Sequence, residues 1–134
     1  MINPKMKILI VDDYASMREL MSAALKGAGF ENLLEAEDGE TAWRALCNIK
    51  PGFELVVCDW NMPKLSGLEL LKKVRADQRF KELPFILCTT EREKDKVLEA
   101  IKFGVNNYVV KPFTNEAIMQ KIVQTFEKLA KKAA

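Results

Sequence analysis

Five short apolar runs recur along this chain: KILIV at 7–11, NLLEA at 32–36, LVVCD at 55–59, PFILCT at 84–89 and NYVV at 107–110. Four of them are apolar almost throughout, with no polar residue at every second position. A strand with one wet face alternates in polarity, so runs of this kind require cover on both faces, as the strands of a parallel sheet have. Parallel neighbours cannot be joined by a tight turn; each crossover needs a dozen or more residues, usually a helix. The segments between the runs have that length and that period.

The helical stripes can be followed residue by residue. In the first, Met17, Leu20, Met21, Ala24, Leu25 and Ala28 follow one face, and Gly29 stops it. The second starts at Asp38, a good cap, and runs to about Ile49 before Pro51 and Gly52. The third opens on the capping box Ser66-Gly67-Leu68-Glu69 and buries Leu68, Leu71 and Val74. The fourth is expected over about 92–103, ended by Gly104, and the fifth follows Thr114 with Ile118, Ile122, Phe126 and Leu129 inward. Right-handed crossovers place such helices on both faces of one sheet. The expected fold is α/β: a three-layer, doubly wound (βα)5 unit with a five-stranded parallel sheet in the flavodoxin-like order 2-1-3-4-5. It takes up 1–134 as a single domain, with no output domain expected after the fifth helix.

In such a fold ligands bind at the carboxyl ends of the strands, at the switch point between strands one and three. Strand one ends on Asp12 and Asp13, strand three on Asp59, strand four on Thr89 and strand five on Lys111. Three carboxylates therefore share one crevice with a hydroxyl and an ammonium. Unit charges about 5 Å apart at an effective dielectric of about 20 repel by roughly 3 kcal/mol, a large part of a domain's net stability. Lys111 neutralises one of the three, and the remainder suits a hard divalent cation with oxygen ligands, Mg2+ above all. Beside such a cation Asp59 is a nucleophile toward phosphorus, with Lys111 and Thr89 placed where the phosphoryl oxygens would lie.

Composition narrows the alternatives. Histidine is absent, which excludes His-based triads, His metal sites and a histidine phosphocarrier. Cys47, Cys58 and Cys88 have no CxxC spacing, so neither a disulfide framework nor a zinc site is expected. Cys58 and Cys88 each precede a site residue on neighbouring strands, so a side-by-side pair is one reading and two small buried hydrophobes the favoured one. A net charge of +2 gives no reason to expect nucleic acid, and the lysine-rich stretch at 128–132 reads as the solvated last turn of a helix. No signal peptide or membrane-span pattern is present, so a cytoplasmic protein, acting as a monomer, is expected.

The segments ILIVDD, DWNMPKLSGLELL, CTTE and YVVKPF resemble, in order and over nearly the whole chain, the signatures of the receiver domain of two-component response regulators. DWNMP with GLELLKKVRAD, AEDG and YVVKPFT is similar in detail to the single-domain chemotaxis regulators of the CheY type. The resemblance implies that Asp59 is phosphorylated by a histidine kinase of chemotaxis type, with Thr89 and Lys111 completing the catalytic set. It implies that Asp13, Asp59 and the Asn61 carbonyl coordinate Mg2+, that Asp12 acts on the ion through water, and that the Lys111–Pro112 bond is cis. It further implies a switch in which Thr89 and Tyr108 move inward and remodel an output surface carrying Val97 and Ile101, which then binds a target, the flagellar motor switch. Thr90 and Glu91 stand at the mouth of the site. Thr90 is bulkier than is usual there and would narrow access for the donor, water or a phosphatase partner. Ser66 replaces a common Asp and caps the helix equally well.

One other reading stays open, and the rest are less well supported by the residues. A phosphate sink or an adaptor in another two-component pathway would share the same site. An aspartate-nucleophile phosphatase needs a DxD spacing that Asp12-Asp13-Tyr14 lacks. A flavin carrier would suffer repulsion between the acidic pair and the flavin phosphate. Neither GxGxxG nor GxxxxGK[ST] is present, so direct nucleotide use has no support. The chain is expected to be no enzyme beyond its own phosphorylation and dephosphorylation.

Overall fold

The computed structural model describes residues 2–90 and 96–133. Strands and helices alternate as β1 (Ile8–Val11), α1 (Ala15–Gly27), β2 (Leu33–Ala36), α2 (Gly39–Asn48), β3 (Leu55–Asp59), α3 (Gly67–Ala76), β4 (Phe85–Thr89), α4 (Val97–Lys102), β5 (Asn107–Val110) and α5 (Asn115–Ala133). The expected start of the fourth helix and Glu91 lie outside the described residues. All four strand pairs are parallel, in the order β2-β1-β3-β4-β5, as the doubly apolar runs require.

Because successive side chains alternate across a strand, the sheet splits its residues between two cores. Leu9, Val11, Val56, Cys58 and Leu87 face one side and pack with Ala42 and Leu46 of α2, Leu70, Leu71 and Val74 of α3 and Ala100 of α4. Ile8, Ile10, Leu55, Val57, Ile86, Cys88 and Val109 face the other, against Met21, Ala24 and Leu25 of α1 and Ile118 and Ile122 of α5. Helix starts use local chemistry. Asp38 accepts from the Thr41 amide at 2.7 Å, and Ser66 and Glu69 form the reciprocal capping box. No helix among the described residues is long and apolar enough to cross a membrane.

The structure corrects several sequence expectations. Leu20 is 57% exposed rather than inward, and Ser22 is buried in its stead. Burial of Ser22 is tolerated because its hydroxyl has a partner, the Glu35 carboxylate at 3.2 Å. In α3 the deep position is Leu70, with Leu68 only half-buried. In α5, Phe126 and Leu129 are half-buried while Thr125 is sequestered, donating to the Lys121 carbonyl at 2.7 Å.

Cys58 and Cys88 do not lie side by side. The register pairs Cys88 with Asp59 and Cys58 with Leu87, a one-residue offset that sends the two sulfurs to opposite faces of the sheet. Burial also raises both thiols well above the ordinary range. They are small core residues.

Candidate functional site

At the carboxyl edge of the sheet the strand ends deliver Asp12, Asp13, Asp59, Thr89 and Lys111 to one place, as the alternation of elements predicts. Each arrives by backbone continuation of a strand. The Asp12 amide donates to the Ala36 carbonyl, Trp60 to Cys88 and Lys111 to Thr89, so the ladder runs on up to and past the site residues. The Lys111–Pro112 peptide is cis, as expected, and Lys50–Pro51 is cis as well.

The charges are close and poorly solvated. Lys111 Nζ donates to Asp59 Oδ1 at 2.7 Å and lies 3.5 Å from Asp12 Oδ2. Asp12 is wholly buried and Asp59 is 3% exposed. Burial, opposed by Lys111 but reinforced by the charges of Asp12 and Asp13, pushes the Asp59 carboxyl up to about 6. Burial would lower Lys111, yet the Asp59 hydrogen bond and the charges of Asp59 and Asp12 outweigh it and raise its pKa. The ammonium therefore stays protonated, and three carboxylates share one cation.

Two polar atoms at the site are buried without a partner among the described residues: Asp13 Oδ1 and Thr89 Oγ1. Orphaned buried groups are rare and costly, so each calls for a bound water, ion or ligand. Asp12, Asp13 and Asp59 offer oxygens that all lie within 4.8 Å of one another. An all-oxygen set with two uncompensated negative charges suits a hard divalent cation such as Mg2+. Thr89 Oγ1, beside it at the end of β4, suits an incoming oxyanion.

A cleft of about 440 Å³ opens onto this cluster, lined by Asp13, Tyr14, Asp59, Asn61, Met62, Pro63, Thr90 and Lys111. Asn61 and Thr90 thus stand where the sequence places them. Tyr14, 67% exposed at the rim, was not singled out in the sequence, although its position directly after the acidic pair could have marked it.

Of the residues expected at the output surface, Tyr108 is half-buried with its ring 4.7 Å below Lys121 Nζ. Ile101 is 56% exposed, but Val97 is turned into the interior at 7%, so it cannot present itself to a partner. Its neighbour Leu98 is exposed, at 70%. Ile101 stays exposed one turn on, so only the Val97 end of the expected face is turned inward.

A sheet in this order with an acidic cluster at its switch point defines a class, and the response regulator receiver domain model matches residues 8–123. The chain belongs to that family, whose members are signalling regulators that bind Mg2+ at an acidic pocket. Among its relatives, the chemotaxis protein CheY1 of Helicobacter pylori is 49% identical over 117 residues, 87% of this chain and 94% of that protein. The chemotaxis protein CheY of Pseudomonas aeruginosa is 47% identical over 124 residues, 92% of this chain and 98% of that protein. The structure of the chemotaxis response regulator CheY4 of Vibrio cholerae superposes with a TM-score of 0.80 at 32% identity, covering 90% of this chain and 98% of that one. The likeness read from the sequence segments to chemotaxis receivers of the CheY type is borne out.

Proposed function

We propose that this protein is a phosphorylation-dependent switch of chemotaxis, in which Asp59 takes a phosphoryl group from a phosphohistidine of a partner kinase. The observation that carries the reading is the pair of orphaned atoms, Asp13 Oδ1 and Thr89 Oγ1, at the strand edge that also holds a carboxylate already paired with Lys111. Asp13, Asp59 and the Asn61 carbonyl would hold Mg2+, with Asp12 behind them. When bound, the ion neutralises the incoming phosphoryl oxygens and the surplus carboxylate charge.

The chain's own residues do the rest. Asp59 supplies the oxygen that bonds to phosphorus as the P–N bond to imidazole breaks. Lys111, now at 2.7 Å from Asp59, passes from the free carboxylate to the phosphoryl oxygens, and the Thr89 hydroxyl donates to one of them. The new bonds favour an inward Thr89 and draw Tyr108 from beneath Lys121, altering the surface that carries Leu98 and Ile101. That surface would meet the target, which in a chemotaxis switch would be the flagellar motor switch.

Incubation with Mg2+ and a small acyl-phosphate donor should add one phosphoryl group in the intact mass. Asp59→Asn, or EDTA, should abolish the gain. No gain in the wild-type protein would overturn the reading.

A further inference from the structure

We infer that Arg18 is a positioning residue for the divalent-cation site, acting through the backbone of the acidic pair. The inference rests on the Mg2+ reading given above and extends it to a residue outside the cleft. Arg18 Nη1 donates to the Asp12 carbonyl at 2.7 Å, while its Nε reaches Glu35 Oε1 at 3.2 Å. Glu35 is in turn held by the buried Ser22 hydroxyl at 3.2 Å. The guanidinium side chain is only 17% exposed. One fork thus ties the end of β1 to β2 and α1.

What this fork controls is the turn that aims Asp13. On one side of Asp13 the Asp12 carbonyl is fixed by Arg18; on the other the Tyr14 amide donates to Asp12 Oδ1 at 2.9 Å. Among the described residues the Asp13 side chain has no restraint of this kind, since its Oδ1 is buried without a partner there. Its direction is therefore inherited from the two peptides that flank it. Helix α1, which follows at once, contributes no side-chain cap at Tyr14 and has no acidic residue in its first turn. Arg18, together with the Asp12 carboxylate, holds this strand-to-helix junction in place. A guanidinium fits the task because its planar fork can serve a carbonyl and a carboxylate together, which an ammonium cannot do with the same geometry.

Charge and position predict opposite signs, which makes the inference testable. A cation near a cation site repels the ion, so a bystander Arg18 would, on removal, leave the site binding more tightly. A positioning Arg18 would, on removal, leave it binding more weakly, as outer-shell partners of metal ligands do. Mn2+ serves as the probe, with the free ion counted by electron paramagnetic resonance and displaced by Mg2+. Urea midpoints in EDTA are measured on the same proteins.

Arg18→Gln is expected to weaken Mn2+ binding by about tenfold, and Arg18→Lys, which keeps the charge but loses the fork, by about threefold. Tighter binding in Arg18→Gln, or unchanged affinity in either folded variant whatever its urea midpoint, overturns the inference. Arg18→Lys keeps the test open if Arg18→Gln fails to fold. Wild-type protein and Asp13→Asn are run alongside. If the wild type binds no Mn2+, the cation reading itself fails and this inference with it. If the wild type binds and the Arg18 variants bind equally well, only the inference fails.

Discussion

Lys64 lies in the loop after β3 with φ at 67°, the left-handed region, where a side chain with a Cβ costs about 1–2 kcal/mol. Its ammonium is 3.8 Å from Asp38 Oδ2, but the lysine side chain is 62% exposed, and an ion pair so placed contributes little. Strain should therefore outweigh attraction. Lys64→Asn, which tolerates this conformation, is expected to raise stability by about 0.5–1 kcal/mol in urea unfolding. Lys64→Gly should fall closer to neutral, because the extra freedom of glycine in the unfolded chain offsets about 0.5–1 kcal/mol. A loss in both variants would mean that the Asp38 contact is worth more than the strain. At this scale the sequence was informative where a residue ends a strand, as at Asp13, Asp59 and Lys111. It was silent on Arg18 and Glu35, because their roles depend on a contact between α1 and β2 that no local pattern encodes.

Between elements, the tightest constraint near the site is the approach of α3 to the end of β3. A Cβ on Gly67 would stand 2.2 Å from the Asp59 carbonyl oxygen, and the Gly67 amide already donates to the Trp60 carbonyl at 2.9 Å. The Asp59 carbonyl is backbone, so it cannot swing away. Gly67→Ala is expected to cost about 2–3 kcal/mol and to slow acyl-phosphate labelling by displacing Asp59. The neighbouring cap provides the control. Ser66→Ala should cost about 1 kcal/mol and leave the labelling rate near wild type. Equal rates in Gly67→Ala and wild type would show that α3 does not hold Asp59 in place. A capping box and a glycine in succession were legible in the sequence, but the reason for that glycine was not, since its neighbour is a carbonyl from another element.

For the molecule as a whole, the acidic cluster makes stability depend on pH in an unusual direction. The Asp59 carboxyl is raised from 3.8 to about 6, so its contribution to stability is complete below pH 3.8 and is lost as pH climbs through 6. A shift of that size corresponds to about 3 kcal/mol. In EDTA, the stability advantage of Asp59→Asn over wild type should accordingly grow between pH 5 and pH 7.5, as read from urea midpoints. Mg2+ should stabilise the wild type at pH 7.5, by an amount that rises with its concentration, and leave Asp59→Asn much less affected. An advantage that is flat with pH would mean that Asp59 is not the group titrating.

By itself the sequence determined the alternation of elements, the parallel sheet and the edge at which the chemistry lies. These follow from short-range rules: polarity period, caps, and the direction in which a right-handed crossover must return. Only the tertiary structure decided the quantities that depend on how elements sit against one another. The offset of β3 on β4 put Cys58 and Cys88 on opposite faces, and the rotation of α1 exposed Leu20 and buried Ser22. The face of α4 took Val97 inward and left Leu98 out. Register and helix rotation are set by packing across the sheet, where a one-residue slip or a turn of 100° exchanges inside for outside while the local pattern stays almost unchanged.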